Sequence, residues 1–142
     1  PGENSNRGVG INVCDSLDQV TKFVQAAASK GRTTIVQKYI DRPFLFANRK
    51  FDIRIFAVLS SVNSNIKGYI YHDGYLRTSS KEFSLNNLSA KQVHLTNDAI
   101  QVEFGEYGRF ESGNKISFQQ FQRYLDHAYP EKKVNFNRDI FH

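Results

Sequence analysis

The stretch from Phe51 to Val62 constrains the fold of this chain most. Phe51, Ile53, Ile55, Ala57 and Leu59 recur at every second position, so an extended backbone carries all of them on one face. The opposite face starts polar at Lys50, Asp52 and Arg54 and turns apolar at Phe56 and Val58. A strand covered on both faces along its second half has this pattern.

The segments around it extend the reading. Asn63-Ser64-Asn65 marks a turn, Ile66 to His72 continues as a strand, and Asp73-Gly74 predicts a hairpin into Tyr75-Leu76-Arg77-Thr78. The β-branched run from Thr33 to Tyr39 predicts a further strand, interrupted by Arg42-Pro43 because proline removes a backbone donor. Two helices carry start and stop signals. Ser16 to Gln19 has capping-box spacing ahead of Leu17, Val20, Phe23, Val24, Ala27 and Ala28, with Gly31 as the stop. Ser117 to Gln120 repeats that spacing ahead of Phe118, Phe121, Tyr124, Leu125 and Ala128, ended by Tyr129-Pro130. Residues 80–97 read as irregular. The expected class is α/β in the α+β sense: a largely antiparallel sheet with flanking helices.

At 142 residues, 39% hydrophobic and 23% charged, the chain has the size and composition of one globular domain. A single cysteine, Cys14, excludes an internal disulfide and fits a reducing, intracellular setting. No stretch is long and apolar enough to span a bilayer, and the first residues do not form a signal peptide. The net charge of +5 fits either an acidic partner or a solvated surface with surplus lysine. Lys132-Lys133 is too short for a nucleic-acid arm and the aromatics lack a stacking pattern, so neither nucleic acid nor membrane is an expected partner. Pro1-Gly2 opens in a loop and residues 137–142 carry no stop signal, so a piece of a longer protein is expected.

Four segments hold residues suited to chemistry. The loop from Glu3 to Gly10 carries Gly8, Gly10 and Arg7: glycines let backbone approach phosphate oxygens, and arginine adds charge. It matches neither a P-loop nor a dinucleotide fingerprint, and an ordinary surface loop reads the same way. Gln37-Lys38-Tyr39-Ile40 ends the Thr33 strand, where backbone groups can meet a planar base; a solvated amphipathic strand is the alternative. Lys50, Asp52 and Arg54 share one strand face, and Arg77 on the neighbouring strand can join them. Two cations flanking a carboxylate suit phosphate or carboxylate binding, or else a cross-strand ladder of ion pairs. His94-Leu95-Thr96-Asn97 supplies an imidazole, a hydroxyl and an amide in a loop. His72, His127, His142 and Cys14 have no metal-ligand spacing, and no nucleophile-elbow serine is present.

In this order and spacing, Gln37-Lys38-Tyr39-Ile40, Arg49-Lys50-Phe51-Asp52-Ile53-Arg54, Asp73-Gly74 with Leu76-Arg77-Thr78-Ser79-Ser80, and His94-Leu95-Thr96-Asn97 resemble the tubulin–tyrosine ligase family. The resemblance runs from Pro1 to about Pro130. It implies an ATP-grasp fold, incomplete over residues 1–142, with an N-terminal domain before it and metal-binding strands after it. It also implies an ATP-dependent carboxylate–amine ligase. ATP would phosphorylate the C-terminal carboxylate of detyrosinated α-tubulin, and the amine of free tyrosine would attack the acyl phosphate. Ile100-Gln101 and Tyr107 to Asn114 are more similar to the tyrosine-adding branch than to the polyglutamylase and polyglycylase branches, which stay as alternatives. A catalytically silent binder of tubulin tails is the remaining one.

Carried over residue by residue, the resemblance implies a catalytic pair, Arg54 and Arg77, orienting phosphate and acceptor carboxylate. Gln37, Lys38, Tyr39 and Ile40 would form the adenine-side hinge, and Lys50 and Asp52 would hold the nucleotide. His94, Thr96 and Asn97 would sit at the nucleotide–acceptor junction. The Asn6 to Gly10 loop, with Arg7, Gly8 and Gly10, would cover the triphosphate. ATP and Mg2+ are the implied cofactors, with the metal ligands expected beyond His142, so the isolated chain is expected to be inactive. The implied partners are the acidic α-tubulin tail and free tyrosine, in the cytoplasm at microtubules or cilia.

Overall fold

The computed structural model describes Gly8 and residues 10–141, a mixed α/β arrangement around a three-stranded antiparallel sheet in the order β1-β2-β3. Strands β1 (Arg49–Val62) and β2 (Asn65–Glu82) make one long hairpin, and β3 (Lys115–Ser117) pairs with Tyr75, Leu76 and Arg77 of β2. Asn63 and Ser64 form the hairpin turn with φ of 49° and 63°. Two left-handed residues in a two-residue loop give the twist that matches the flanking strands.

Asp73-Gly74 does not form the second hairpin that its sequence suggested. Strand β2 runs straight through it, and the register slips there: Ile55 pairs with Gly74 while Phe56 pairs with Tyr71, leaving His72 and Asp73 without ladder partners. A Cβ at Gly74 would stand 2.1 Å from the Arg54 carbonyl oxygen and 2.9 Å from Phe118 Cζ. The glycine is required by close approach at a bulge, which imitates a turn signal in sequence.

Thr33 to Tyr39 is also not a strand. Its β-branched residues favour extended backbone, but a strand needs a hydrogen-bonded neighbour, and no described residue pairs with it; Ile35 and Val36 stay exposed. The far half of the hairpin is likewise uncovered. Val58, Leu59, Val62 and Ile66 are 63%, 78%, 67% and 73% exposed, against the expectation of cover on both faces.

Helix α1 (Leu17–Ala28) forms where its signals lie: Ser16 Oγ accepts from Gln19 N, and Gly31 at φ 64° follows the last turn. Its apolar stripe buries no residue. Two single turns, α2 (Lys91–His94) and α3 (Asp98–Gln101), bracket Leu95-Thr96-Asn97. Helix α4 (Phe118–Ala128) opens on a complete capping box between Ser117 and Gln120, and α5 (Phe136–Phe141) ends the described chain.

The core lies where the near half of the hairpin meets α4 and α5. Leu76, Ile116, Phe118, Phe121, Leu125 and Phe136 are buried together. Phe121 is central, with ring centroids of Phe136, Phe51 and Phe46 at 4.8, 5.1 and 6.0 Å. Most of these contacts are edge-on or tilted, the geometry that aromatic quadrupoles favour. The 12 phenylalanines of the sequence therefore supply much of this core. Because Phe51 turns its side chain to α4, alternation sends Lys50 and Asp52 to the other sheet face, under α2 and the segment after it.

Candidate functional site

Asp52 anchors the polar face. It stands opposite Arg77 in the β1–β2 register, and Arg77 donates to both carboxylate oxygens, Nε to Oδ1 at 2.8 Å and Nη2 to Oδ2 at 2.6 Å. Thr96 Oγ1 donates to Oδ2 at 2.7 Å, tying the segment after α2 to the sheet. The hydrogen bond to Asp52 holds the Arg77 guanidinium above its ordinary pKa. The cross-strand ion pair weighed from sequence is thus present between Asp52 and Arg77, and it sets the planar donor group of Arg77 in one orientation.

Lys50 Nζ donates to the His94 carbonyl at 3.1 Å and to the Tyr39 hydroxyl at 3.2 Å, and lies 4.6 Å from the Tyr39 ring centroid. Burial pulls its amine below the ordinary lysine pKa, with the nearby Asp52 carboxylate opposing. Burial likewise raises the Tyr39 hydroxyl. The His94 ring is buried, with Nδ1 2.9 Å from the Tyr39 hydroxyl and Nε2 3.0 Å from the Asn87 carbonyl. A carbonyl only accepts, so this network assigns the proton to Nε2 and leaves Nδ1 to accept from Tyr39. A directed chain results: Lys50 donates to Tyr39, Tyr39 to His94, and His94 to Asn87.

Beside this cluster is an open cleft of about 460 Å³ lined by Arg54, Arg77, Asn97, Asp98, Ala99 and Val102. Arg54 is exposed and makes no ion pair among the described residues. Gly8 is buried at φ 82°, and a Cβ there would stand 3.0 Å from Asn97 Oδ1 and 3.1 Å from Ile100 Cγ1. The glycine loop therefore reaches the cleft wall at Gly8, where a side chain would press on Asn97. Gly10 lies at φ 80° in open space. Arg7 and Asn6 lie outside the described residues.

Of the residues singled out from sequence, Tyr39, Lys50 and His94 share one hydrogen-bonded group and Asp52, Arg77 and Thr96 a second, with Arg54, Asn97 and Gly8 at the adjoining cleft. Gln37, Lys38 and Ile40 are exposed and give no side-chain hydrogen bond to it. Sequence reasoning missed the buried support behind the site. Arg49, 3% exposed, is paired with Glu111, and Thr78 Oγ1 donates to Glu111 Oε2 at 3.0 Å. Asn114 Nδ2 donates to the Thr78 carbonyl at 3.0 Å and to Ser80 Oγ at 2.9 Å, while Ser80 N donates to Gln101 Oε1 at 2.9 Å. The signal was available in Thr78-Ser79-Ser80, three polar residues in a strand, all fully or almost fully buried. Buried polar groups need partners, and these brace α3 and residues 107–114 against the end of β2. Asp98 and Lys115, joined at 2.7 Å, were also missed.

No group of three or more His, Cys, Asp or Glu that could hold a metal ion occurs among the described residues, so these residues do not themselves fit the Mg2+ implied by the resemblance. No described helix is long and apolar enough to cross a membrane. The site and its cleft present the amine of Lys50 and the guanidiniums of Arg54 and Arg77 with the carboxylates of Asp52 and Asp98, the latter paired with Lys115. That balance suits a multiply charged anion, with Arg77 as a planar donor and Lys50 as a point charge.

The model of the family described as the tubulin-tyrosine ligase family matches residues 2–142. Tubulin glycylase 3B of Drosophila melanogaster is 36% identical over 129 residues, covering 88% of this chain and 16% of that protein. A probable tubulin polyglutamylase of Mus musculus is 34% identical over 100 residues, 70% of this chain and 21% of that one. A tubulin monoglycylase of Homo sapiens is 36% identical over 131 residues, 88% of this chain and 17% of that one. The chain thus spans about a fifth or less of these relatives' length, and none of the three carries a tyrosine-ligase name.

Proposed function

The chain belongs to the tubulin-tyrosine ligase family, and from that premise we propose that it forms part of an ATP-dependent ligase that joins glycine or glutamate to tubulin. The amino acid is the point at which this departs from the tyrosine expected from Tyr107 to Asn114: the relatives described above are named as glycylases and a polyglutamylase. Family membership brings the ATP-grasp fold with it, and the mixed sheet-and-helix architecture is consistent with that.

The observation that carries the reading is the clustering of Lys50, Asp52, Arg77 and Thr96 on one sheet face beside the cleft of Arg54. In the proposed reaction a tubulin carboxylate attacks the terminal phosphorus of ATP, the bond to ADP breaks, and an acyl phosphate forms. The amine of the amino acid then attacks the acyl carbon, and phosphate leaves. Lys50 serves phosphate oxygens as a point charge at the nucleotide side, with Tyr39 and His94 fixing its position. Arg77, held by Asp52, and Arg54 face the oxygens on which negative charge builds. Gly8 brings the loop backbone against Asn97 at the edge of the same space. Magnesium, when bound, would neutralise charge on the phosphates. The described residues hold no cluster of three or more His, Cys, Asp or Glu to bind it.

The test incubates the full-length protein with magnesium, ATP, tubulin and an equimolar mixture of glycine, glutamate and tyrosine, and reads tubulin peptides by tandem mass spectrometry. Glycine or glutamate on tubulin side chains, lost in Arg77→Ala, is the expected result. Tyrosine at the α-tubulin terminus returns the assignment to the tyrosine-adding branch. Tubulin binding without any addition overturns the ligase reading in favour of a silent binder.

A further inference from the structure

Gln101, the last residue of α3, is fully buried, and its amide uses its whole hydrogen-bonding capacity. Oε1 accepts from Ser80 N at 2.9 Å and from Ser80 Oγ at 2.5 Å. Nε2 donates to the Gln92 carbonyl at 3.2 Å and, more closely, to the Leu95 carbonyl. Turning the amide over would set its NH2 against the Ser80 N–H and its oxygen against two carbonyls, so only this orientation fits. The two ends of the side chain grip different parts of the site. Ser80 lies on β2, three residues beyond Arg77. Leu95 stands between His94, whose carbonyl accepts from Lys50 Nζ at 3.1 Å, and Thr96, whose hydroxyl donates to Asp52 Oδ2 at 2.7 Å. Asp52 in turn holds Arg77. A closed circuit results, running from Arg77 through Asp52, Thr96, Leu95, Gln101 and Ser80 and back along β2 to Arg77.

We propose that Gln101 is a positioning residue for nucleotide binding: by holding the Leu95 carbonyl it keeps the His94 carbonyl and the Thr96 hydroxyl set for Lys50 and Asp52. This rests on the ligase reading. Among the described residues, the other hydrogen bonds from residues 94–97 to the sheet are those of Lys50 and Asp52 themselves. Those are the contacts that a bound nucleotide perturbs, since a Lys50 amine that turns to a phosphate oxygen loosens its bond to His94. The partners of the His94 ring, Tyr39 and Asn87, lie outside the sheet. Gln101 engages backbone and Ser80 alone, so its hold persists when phosphates occupy the site. Helices α2 and α3 are single turns that have no stability of their own. The segment between them therefore depends on a tertiary tie, and a fully paired buried amide supplies a directional one.

The test measures binding of a fluorescent ATP analogue, with magnesium, to the full-length protein and its variants at a temperature where circular dichroism shows each to be folded. Gln101→Met keeps the length of the side chain and removes its hydrogen bonds to Ser80, Gln92 and Leu95. It is expected to weaken the analogue about tenfold, the scale of one or two lost hydrogen bonds. It is also expected to shift the lysine ¹³Cε resonance that Lys50→Arg removes, because the His94 carbonyl moves. Leu125→Ala truncates the core under α4, on the opposite face of the sheet. That control is expected to lower the melting temperature and to leave both the affinity and the Lys50 resonance unchanged. Equal weakening in the two variants would make the effect one of general stability and overturn the assignment, as would unchanged affinity in folded Gln101→Met. If Gln101→Met does not fold, Ser80→Ala takes its place: it removes the hydroxyl donor to Oε1 and leaves the backbone one. About threefold weaker binding is then expected, and unchanged affinity overturns the assignment. Any of these negative results beside a wild type that binds the analogue removes Gln101 alone. A wild type that does not bind it overturns the ligase reading and the positioning role with it.

Discussion

Asp52 and Arg77 face one another across β1 and β2 in direct register, and both carboxylate oxygens of Asp52 are occupied by Arg77, with Thr96 adding a third bond. This ties two strands and the segment after α2 through one side chain. Asp52→Asn keeps the shape but removes the charge and turns one acceptor into a donor facing a guanidinium. The pair is partly open to solvent, with Asp52 36% exposed, so the cost to global stability is about 1–2 kcal/mol by urea unfolding. The loss of ATP affinity is expected to be larger, since Arg77 loses its orientation. Titration with a fluorescent ATP analogue checks this, and unchanged affinity would remove Arg77 from the nucleotide side of the site.

Lys50 gives a pH signature. Its amine is lowered by burial, with Asp52 opposing, so its folded pKa lies below its unfolded value. Between those two values the unfolded chain holds more protons, and stability rises with pH. Below the folded pKa the full penalty of burying the ammonium is present. Lysine ¹³Cε NMR titration is expected to show one resonance that turns over at lower pH than the others and disappears in Lys50→Arg. Asp52→Asn removes the opposing charge and moves that resonance further down. An upward movement would show that the Asp52 charge does not oppose the effect of burial on Lys50.

What sequence made legible divides by the range of the interaction. The Asn63-Ser64 turn, the capped starts of α1 and α4 and the extended backbone of β1 depend on neighbours within a few residues, and these formed as read. Thr33 to Tyr39 and the far half of the hairpin needed partners from elsewhere, which local pattern cannot supply. Gly74 was misread because the same residue type serves a tight turn and a close approach. Lys50, Asp52 and Arg77 converged as expected, although by a register slip and not by a second turn. The Asp98–Lys115 pair was illegible because its two members are distant in sequence.

The bulge at Gly74 makes the strictest backbone prediction. A methyl group there would lie 2.1 Å from the Arg54 carbonyl oxygen, so Gly74→Ala must displace backbone and not merely a side chain. Strained backbone of this kind costs about 1–3 kcal/mol. Because the displaced carbonyl belongs to Arg54, any ligase activity is expected to fall by more than thermal unfolding alone explains. Gly68→Ala, whose added methyl meets only a Leu59 methyl at 3.3 Å, serves as the control and is expected to cost less. Equal melting temperatures for the two variants would show that the bulge can relax.

Arg49 and Glu111 join the sheet to residues 107–114 below solvent, 3% and 13% exposed. The face of the Arg49 guanidinium lies 4.3 Å from the Phe110 ring centroid, and its Nη1 also donates to Glu111 Oε2 at 3.0 Å. Breaking such a pair from one side strands a buried charge and costs about 3–5 kcal/mol, whereas replacing both partners by apolar residues of similar volume is often close to neutral. Glu111→Gln and Arg49→Met are therefore each expected to destabilise strongly in guanidinium unfolding, and Arg49→Met with Glu111→Leu to recover much of that loss. Recovery will stay incomplete, because Thr78 Oγ1 also donates to Glu111 and retains only the Asn114 carbonyl, at 3.3 Å, as acceptor once that carboxylate is gone. A double variant as unstable as the sum of the singles would mean that each residue acts through separate contacts, and that the pair does not hold residues 107–114 to the sheet.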